Sequence, residues 1–180
     1  IHPLWYTEFI PILYFISSIF AGLSMVIFEG SISHKVFGSQ LDEAHHKHYD
    51  DILVGLARIC AVAMFGYFIL KAILLVHEHA IPYLFTPMGT WYLIEVLGFV
   101  LVPCLMFISG AQQRNTSTIK FAAILAMLGI IINRLNYTFI AYNWYVPLSE
   151  KYWPAPMELV VTASIILTEI WAFRWIVNRM

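Results

Sequence analysis

Charge is what this sequence has least of. Only 12% of its 180 residues are Asp, Glu, Lys or Arg, about half the share in soluble domains. Its 10 Lys+Arg against 11 Asp+Glu leave a formal net charge of -1, which speaks against nucleic acid as a partner. Cysteine is almost as scarce: Cys60 and Cys104 both lie in apolar runs. No CxxC or CxxCH occurs, so the sequence shows no sign of an iron–sulfur cluster of its own or of covalently attached haem. The chain also has no initial Met and no basic stretch ahead of HPLW. It therefore reads as carrying no signal peptide and as part of a longer polypeptide.

What is present is apolar length. Hydrophobic residues make up 61% of the chain and the mean hydropathy is +0.76, the composition of a membrane protein. A bilayer core needs about 20 apolar residues in a helix. Five stretches meet that length, at about 9–28, 52–76, 90–109, 118–141 and 157–177. The expected fold is an all-α polytopic transmembrane bundle. Pro103 should kink the third span.

Basic residues orient the five spans. Lys35 and Lys47 flank the first loop, Arg114 and Lys120 the third, and Arg174 and Arg179 the C-terminus. Lys151 alone lies in the loops of the other side, with Lys71 near a helix end. The positive-inside rule then places the 30–51 loop, the third loop and the C-terminus in the cytoplasm. The outward edge carries Trp5, Trp91, Trp144 and Trp153 with neighbouring tyrosines, an aromatic belt.

Polar residues inside apolar spans are expensive and commonly functional. In this topology the stretch 121–144 carries Asn133, Arg134, Asn136 and Tyr137 in its outer half. Glu95 and Glu158 fall at the same level, with His2 and Trp5 close by. Glu29, Arg58 and Glu169 form a second acid–base layer nearer the cytoplasm, as an ion pair or a proton relay. Glu158, Thr162, Ile165 and Glu169 recur at i, i+4, i+7 and i+11, so both carboxylates share one stripe. The outer layer can border a quinone head group, whose carbonyls accept hydrogen bonds. Its carboxylates can also take or give protons.

The loop LDEAHHKHYDD, 41–51, holds His45, His46 and His48 among carboxylates. Such spacing can hold a zinc-type ion, but a solvated turn that docks a partner explains the same composition, and no metal is assigned. None of the seven histidines sits deep in a span, so the expected chain is haem-free.

The segments HPLWYTEFIPILYFISSIFAGLSMVIFEG, GLARI, NRLN and YWPAPMELVVTASIILTEIWAFRWIVNR, in this order, resemble the C-terminal half of the NrfD family. The similarity is to its HybB-like branch, and the ending EIWAFRWIVNRM resembles the DsrP type. The resemblance implies half of a subunit of nine to ten spans that is haem-free and binds menaquinone or menaquinol. It implies electron exchange with a ferredoxin-like iron–sulfur subunit in a prokaryotic respiratory complex, with proton transfer as an accompanying role. The residues themselves leave two other classes open. One is a secondary transporter, which would need repeats and broken helices. The other is a structural anchor for peripheral redox subunits. Neither the direction of electron flow nor enzymatic activity of the chain itself is legible.

Overall fold

The computed structural model describes residues 2–37, 43–141, 143–147, 150 and 155–177, with the backbone alone at 36–37, 43–47, 173 and 176–177. Every regular element among them is helical. α1 (Ile10–Phe37), α2 (Glu43–His77), α3 (Pro87–Leu93), α4 (Val102–Gln113) and α5 (Thr116–Asn136) belong to one compact unit. π-helical turns at Ile94–Leu101 and Tyr137–Ala141 join α3 to α4 and extend α5. α6 (Pro156–Val177) lies in a second unit, 145–180, and is described by itself.

Among the described residues, four helices are long and apolar enough to cross a membrane: Ile10–Lys35, His48–His77, Pro87–Gln113 and Thr116–Ala141. The chain is thus an integral membrane protein by length and composition. α1 and α2 continue as helix on either side of 38–42, into the stretch read as a polar loop. Nothing in EAHHKHYDD breaks a helix, so hydrogen bonding carries on after apolarity ends. His45 and His46 lie outside the described side chains; among the described residues no group of three or more His, Cys, Asp or Glu comes together.

The four long segments form a closed ring in which α1 packs on α2 and α5, and α4 packs on the same two helices. The ring surrounds a core that includes Leu13, Ile27, Ala57, Met64, Phe107 and Ala122. Its outside shows Phe15, Val62 and Phe121 at 68%, 75% and 57% exposure. Large apolar side chains on that scale suit lipid rather than water. Small residues let the helices approach. A Cβ on Gly129 of α5 would lie 2.7 Å from the Phe99 carbonyl oxygen. That carbonyl is four residues before Pro103, which has no N–H to give it. The π-helical turn ends there, with the Val102 N–H bonded to Leu97 O. Proline, π turn and close helix contact are one local solution.

Short caps set the ends. Asn115 accepts from the N–H groups of Ser117 (3.1 Å) and Thr118 (3.2 Å), starting α5. Thr86 accepts from Gly89 N–H at 3.1 Å and starts α3, with Pro87 in the first turn. The end of the bundle where α2 leads into α3 is called the upper end below. Residues 2–7 cross it, tied by His2 N–H to Ala141 O at 2.9 Å. Trp5 is inserted there at 1% exposure, packed with Tyr92, Val96 and Tyr137 in a second apolar cluster.

Candidate functional site

The upper third of the bundle holds one buried carboxylate, and four elements converge on it. Glu95 sits in the first turn of the π-helical segment Ile94–Leu101, at 2% exposure. Its Oε1 accepts from Asn133 Nδ2 at 2.5 Å and from Lys71 Nζ at 3.4 Å. Its Oε2 accepts from Asn136 Nδ2 at 2.5 Å and from Trp5 Nε1 at 3.0 Å. Asn136 Oδ1 in turn accepts from Trp91 Nε1 at 3.0 Å. Asn133 and Asn136, three apart on α5, share a face and so reach the two oxygens of one carboxylate.

Lys71 completes the charge balance. It projects from α2 at 4% exposure and forms an ion pair with Glu95. The rings of Tyr92, Tyr67 and Tyr137 surround its Nζ at 5.1, 5.7 and 6.0 Å from their centroids, within cation–π range. Burying two ions costs several kcal/mol each in solvation, and only a well-formed pair with further hydrogen bonds repays it. Here each oxygen of Glu95 has two donors, and among the described residues no buried side-chain nitrogen or oxygen lacks a partner.

Arg134 is placed differently from the sequence expectation. Residue 134 points away from its neighbours Asn133 and Asn136, so it leaves Glu95 to Lys71. Its Nη2 donates to Ser17 Oγ at 3.2 Å, and its guanidinium carbon lies 3.5 Å from the Tyr14 ring centroid. Both partners come from α1. Arg134 is half-buried, and the hydrogen bonds among the described residues use one of its five N–H donors. It forms a separate edge beside the Glu95 cluster. Ser17 also lines a cavity of about 10 Å³ with Glu95, Phe99, Gly129 and Asn133. A second cavity, of about 20 Å³ beside Lys71, is lined by residues 3–7, Glu78 and Tyr137. Each has about the room of one water.

The remaining sequence candidates fall into three groups. His2, Trp5 and Tyr137 do join the cluster: His2 packs edge-on against Trp5 at 5.2 Å between ring centroids and accepts from Leu4 N–H at 3.2 Å. Glu29 and Arg58 are exposed, and the ion pairs among the described residues join Lys71 to Glu95 and Arg114 to Asp51 instead. Glu158 and Glu169 belong to α6 of the second unit, where Thr162 donates to Glu158 O at 2.9 Å.

Sequence reasoning missed Lys71 as a site residue, along with Tyr14, Ser17 and Trp91. A usable signal existed for Lys71. It lies six residues before the end of α2, and Glu95 eight after the start of α3. At 1.5 Å per residue, both therefore sit about 9–12 Å below a shared turn. Adjacent antiparallel spans bring such residues level.

Two known proteins align along essentially the whole chain. A protein of Nitratidesulfovibrio vulgaris strain Hildenborough is 40% identical over 180 residues, covering 100% of this chain and 46% of that protein. The probable Ni/Fe-hydrogenase 2 b-type cytochrome subunit of Escherichia coli K12 is 29% identical over 180 residues, covering 96% of this chain and 43% of that subunit. The chain thus spans about half the length of the curated relatives it matches. No protein-family model matches it, and no solved structure matches it.

One expectation is overturned by this likeness. The sequence reading excludes haem, whereas the named relative is a b-type cytochrome subunit, a haem-binding class of protein. The exclusion rested on where this chain's histidines fall. The larger part of the relative lies outside the match, so this chain's histidines do not make the whole subunit haem-free.

Proposed function

We propose that this chain forms part of a quinone-interacting membrane subunit of a respiratory oxidoreductase complex. In this reading the subunit exchanges electrons between menaquinone or menaquinol and a ferredoxin-like iron–sulfur partner. It lies in a prokaryotic cytoplasmic membrane with its lower end, and the C-terminus, on the cytoplasmic side. Support comes from the likeness to a hydrogenase cytochrome subunit and from the resemblance of NRLN and the flanking segments to the NrfD family. The observation that carries the site is the Arg134–Tyr14 edge. It is a half-buried cation on an aromatic face, in a membrane-spanning helix, with one of its five N–H donors engaged among the described residues.

The size of the cavities divides the roles. At about 20 and 10 Å³, those flanking Lys71 and Glu95 cannot admit a quinone ring. Every oxygen of Glu95 is also already engaged. The interior cluster therefore does not fit the head group, and we place the head group at the Arg134 edge, where a cation lies over an aromatic ring. Arg134 would donate to a quinone carbonyl and Tyr14 would offer its ring for stacking, with Ser17 fixing the guanidinium. The quinone, when bound, supplies the two-electron chemistry. Lys71 and Glu95 would hold the α2–α3–α5 junction rigid behind that edge, and each adjoining cavity has room for about one water that could carry a proton to them.

One observation favours a second reading. A carboxylate with four donors is what a structural clamp needs, so the chain could serve only to anchor redox subunits. Photolabelling separates the two. With an azido-menaquinone analogue in native membranes, the quinone reading expects label on the α1 and α5 peptides that contain Tyr14 and Arg134. It also expects excess menaquinone to suppress that label. Label absent from both peptides, or present and not suppressed, would favour the anchor.

A further inference from the structure

The lower end of the bundle carries a feature that the upper site does not use. α1 and α5 lie side by side there, and each ends in a cation above apolar residues. On α1 the stripe Phe28, Ile32, Lys35 recurs at i, i+4 and i+7; on α5 Lys120 and Ile124 are four apart. Together with Ser31 and His34 they line an open groove of about 480 Å³.

The cationic end of the groove is built on Tyr49 of α2. His34 stacks on the Tyr49 ring, with centroids 4.1 Å apart and planes 5° apart, and Lys120 Nζ lies 5.8 Å from the same centroid. The Tyr49 hydroxyl donates to Ser31 Oγ at 3.3 Å, which fixes the ring between the helices. No acidic side chain lines the groove among the described residues, and α5 has no acid in its first turn. Lys120 therefore stands near the positive end of its own helix without a carboxylate to offset it. One turn deeper, Ile32 and Ile124 are 49% and 39% exposed, an apolar wall at acyl-chain depth.

We propose that this groove binds the headgroup of an anionic phospholipid. Lys35 and Lys120 hold the phosphate, and Phe28, Ile32 and Ile124 receive the first methylenes of an acyl chain. A basic recess between transmembrane helices with an apolar floor matches both parts of such a lipid, and its volume is that of an ordinary ligand site. A zwitterionic lipid brings its own cation into the same recess and is disfavoured. Free phosphate satisfies the lysines but leaves the apolar wall uncovered.

The test uses the intact membrane protein purified in mild detergent, with native mass spectrometry to count bound lipid. Phosphatidylglycerol and phosphatidylcholine are added at equal concentration. The expected result is retention of phosphatidylglycerol in preference to phosphatidylcholine. Apparent affinity should fall roughly thirtyfold in K35Q/K120Q, the weight of two interfacial cations, and be kept in K35R/K120R. The wild-type preference should also weaken as ionic strength rises, a readout that does not depend on any variant folding. Equal retention of the two lipids, unchanged phosphatidylglycerol binding in K35Q/K120Q, or displacement of the lipid by millimolar inorganic phosphate would each overturn the proposal.

Discussion

Lys71 on α2 and Glu95 on the π-helical turn after α3 form a buried ion pair at 3.4 Å, at 4% and 2% exposure. The pair joins two spans that are consecutive in the chain, and the two asparagines of α5 lock it to a third. Its consequences for stability can be measured directly.

Removing one charge strands the other. Glu95→Gln and Lys71→Met should each destabilise the protein by about 3–5 kcal/mol, because an unpaired buried ion remains. The double variant should cost clearly less than the sum, since no unpaired ion remains and the single Gln oxygen can still accept on one side, from Asn133 or from Asn136 and Trp5. Thermal unfolding in detergent followed by circular dichroism supplies the double-mutant cycle. Additive effects, or single effects under about 1 kcal/mol, would contradict an energetically coupled pair.

Gly129 gives a packing test. A methyl group there would press on the Phe99 carbonyl and Cβ at 2.7 Å. Gly129→Ala should therefore destabilise by about 1–3 kcal/mol through overpacking. Gly66→Ala, where nothing lies within 4 Å of the added carbon, should be neutral or slightly stabilising. A melting temperature equal to wild type for Gly129→Ala would show that α5 and the π-helical turn are less tightly apposed than described.

His2, above the spans, links the upper cap to pH. Burial holds its imidazole pKa below the ordinary histidine value, and the neutral ring accepts from Leu4 N–H at 3.2 Å. The unfolded chain thus takes up its proton at a higher pH than the folded one. Stability from His2 is complete above the ordinary histidine pKa, roughly 6.5, and declines as pH falls from there toward the folded value. Buried Trp5, 5.2 Å away between ring centroids, is one reporter. The loss of stability as pH falls below about 6.5 should be reduced in His2→Phe; an identical pH profile in that variant would remove His2 as its source.

How much of this was legible in the sequence follows from what each feature depends on. Apolar length, a local property, is enough to expect each of the four long apolar helices found among the described residues. The presence of an upper polar layer containing Glu95, Asn133 and Asn136 also follows from one-dimensional depth. The pairing within that layer does not. Arg134 and Asn133 are neighbours in sequence, yet a helix turns them about 100° apart, so one faces Ser17 and the other Glu95. A formal guanidinium drew the sequence reading, whereas the buried cation is a lysine near a helix end whose stem could have snorkelled outward. The π-helical turns carry no signature beyond Pro103, and they re-aim Glu95 and Tyr137 in a way periodicity at 3.6 residues does not show. The exclusion of haem failed for a different reason, since it was drawn from a chain that matches under half of its relatives.

The central claim is that the Arg134 edge, backed by the Lys71–Glu95 clamp, meets the quinone. Menaquinol turnover by the assembled complex carrying Arg134→Ala tests it most directly. Loss of a charge-assisted hydrogen bond predicts a fall of about ten- to a hundredfold, with subunit assembly and melting temperature near wild type, because Arg134 is half-buried and outside the clamp. Turnover unchanged in a normally assembled complex would contradict the account and leave the upper cluster as a structural anchor.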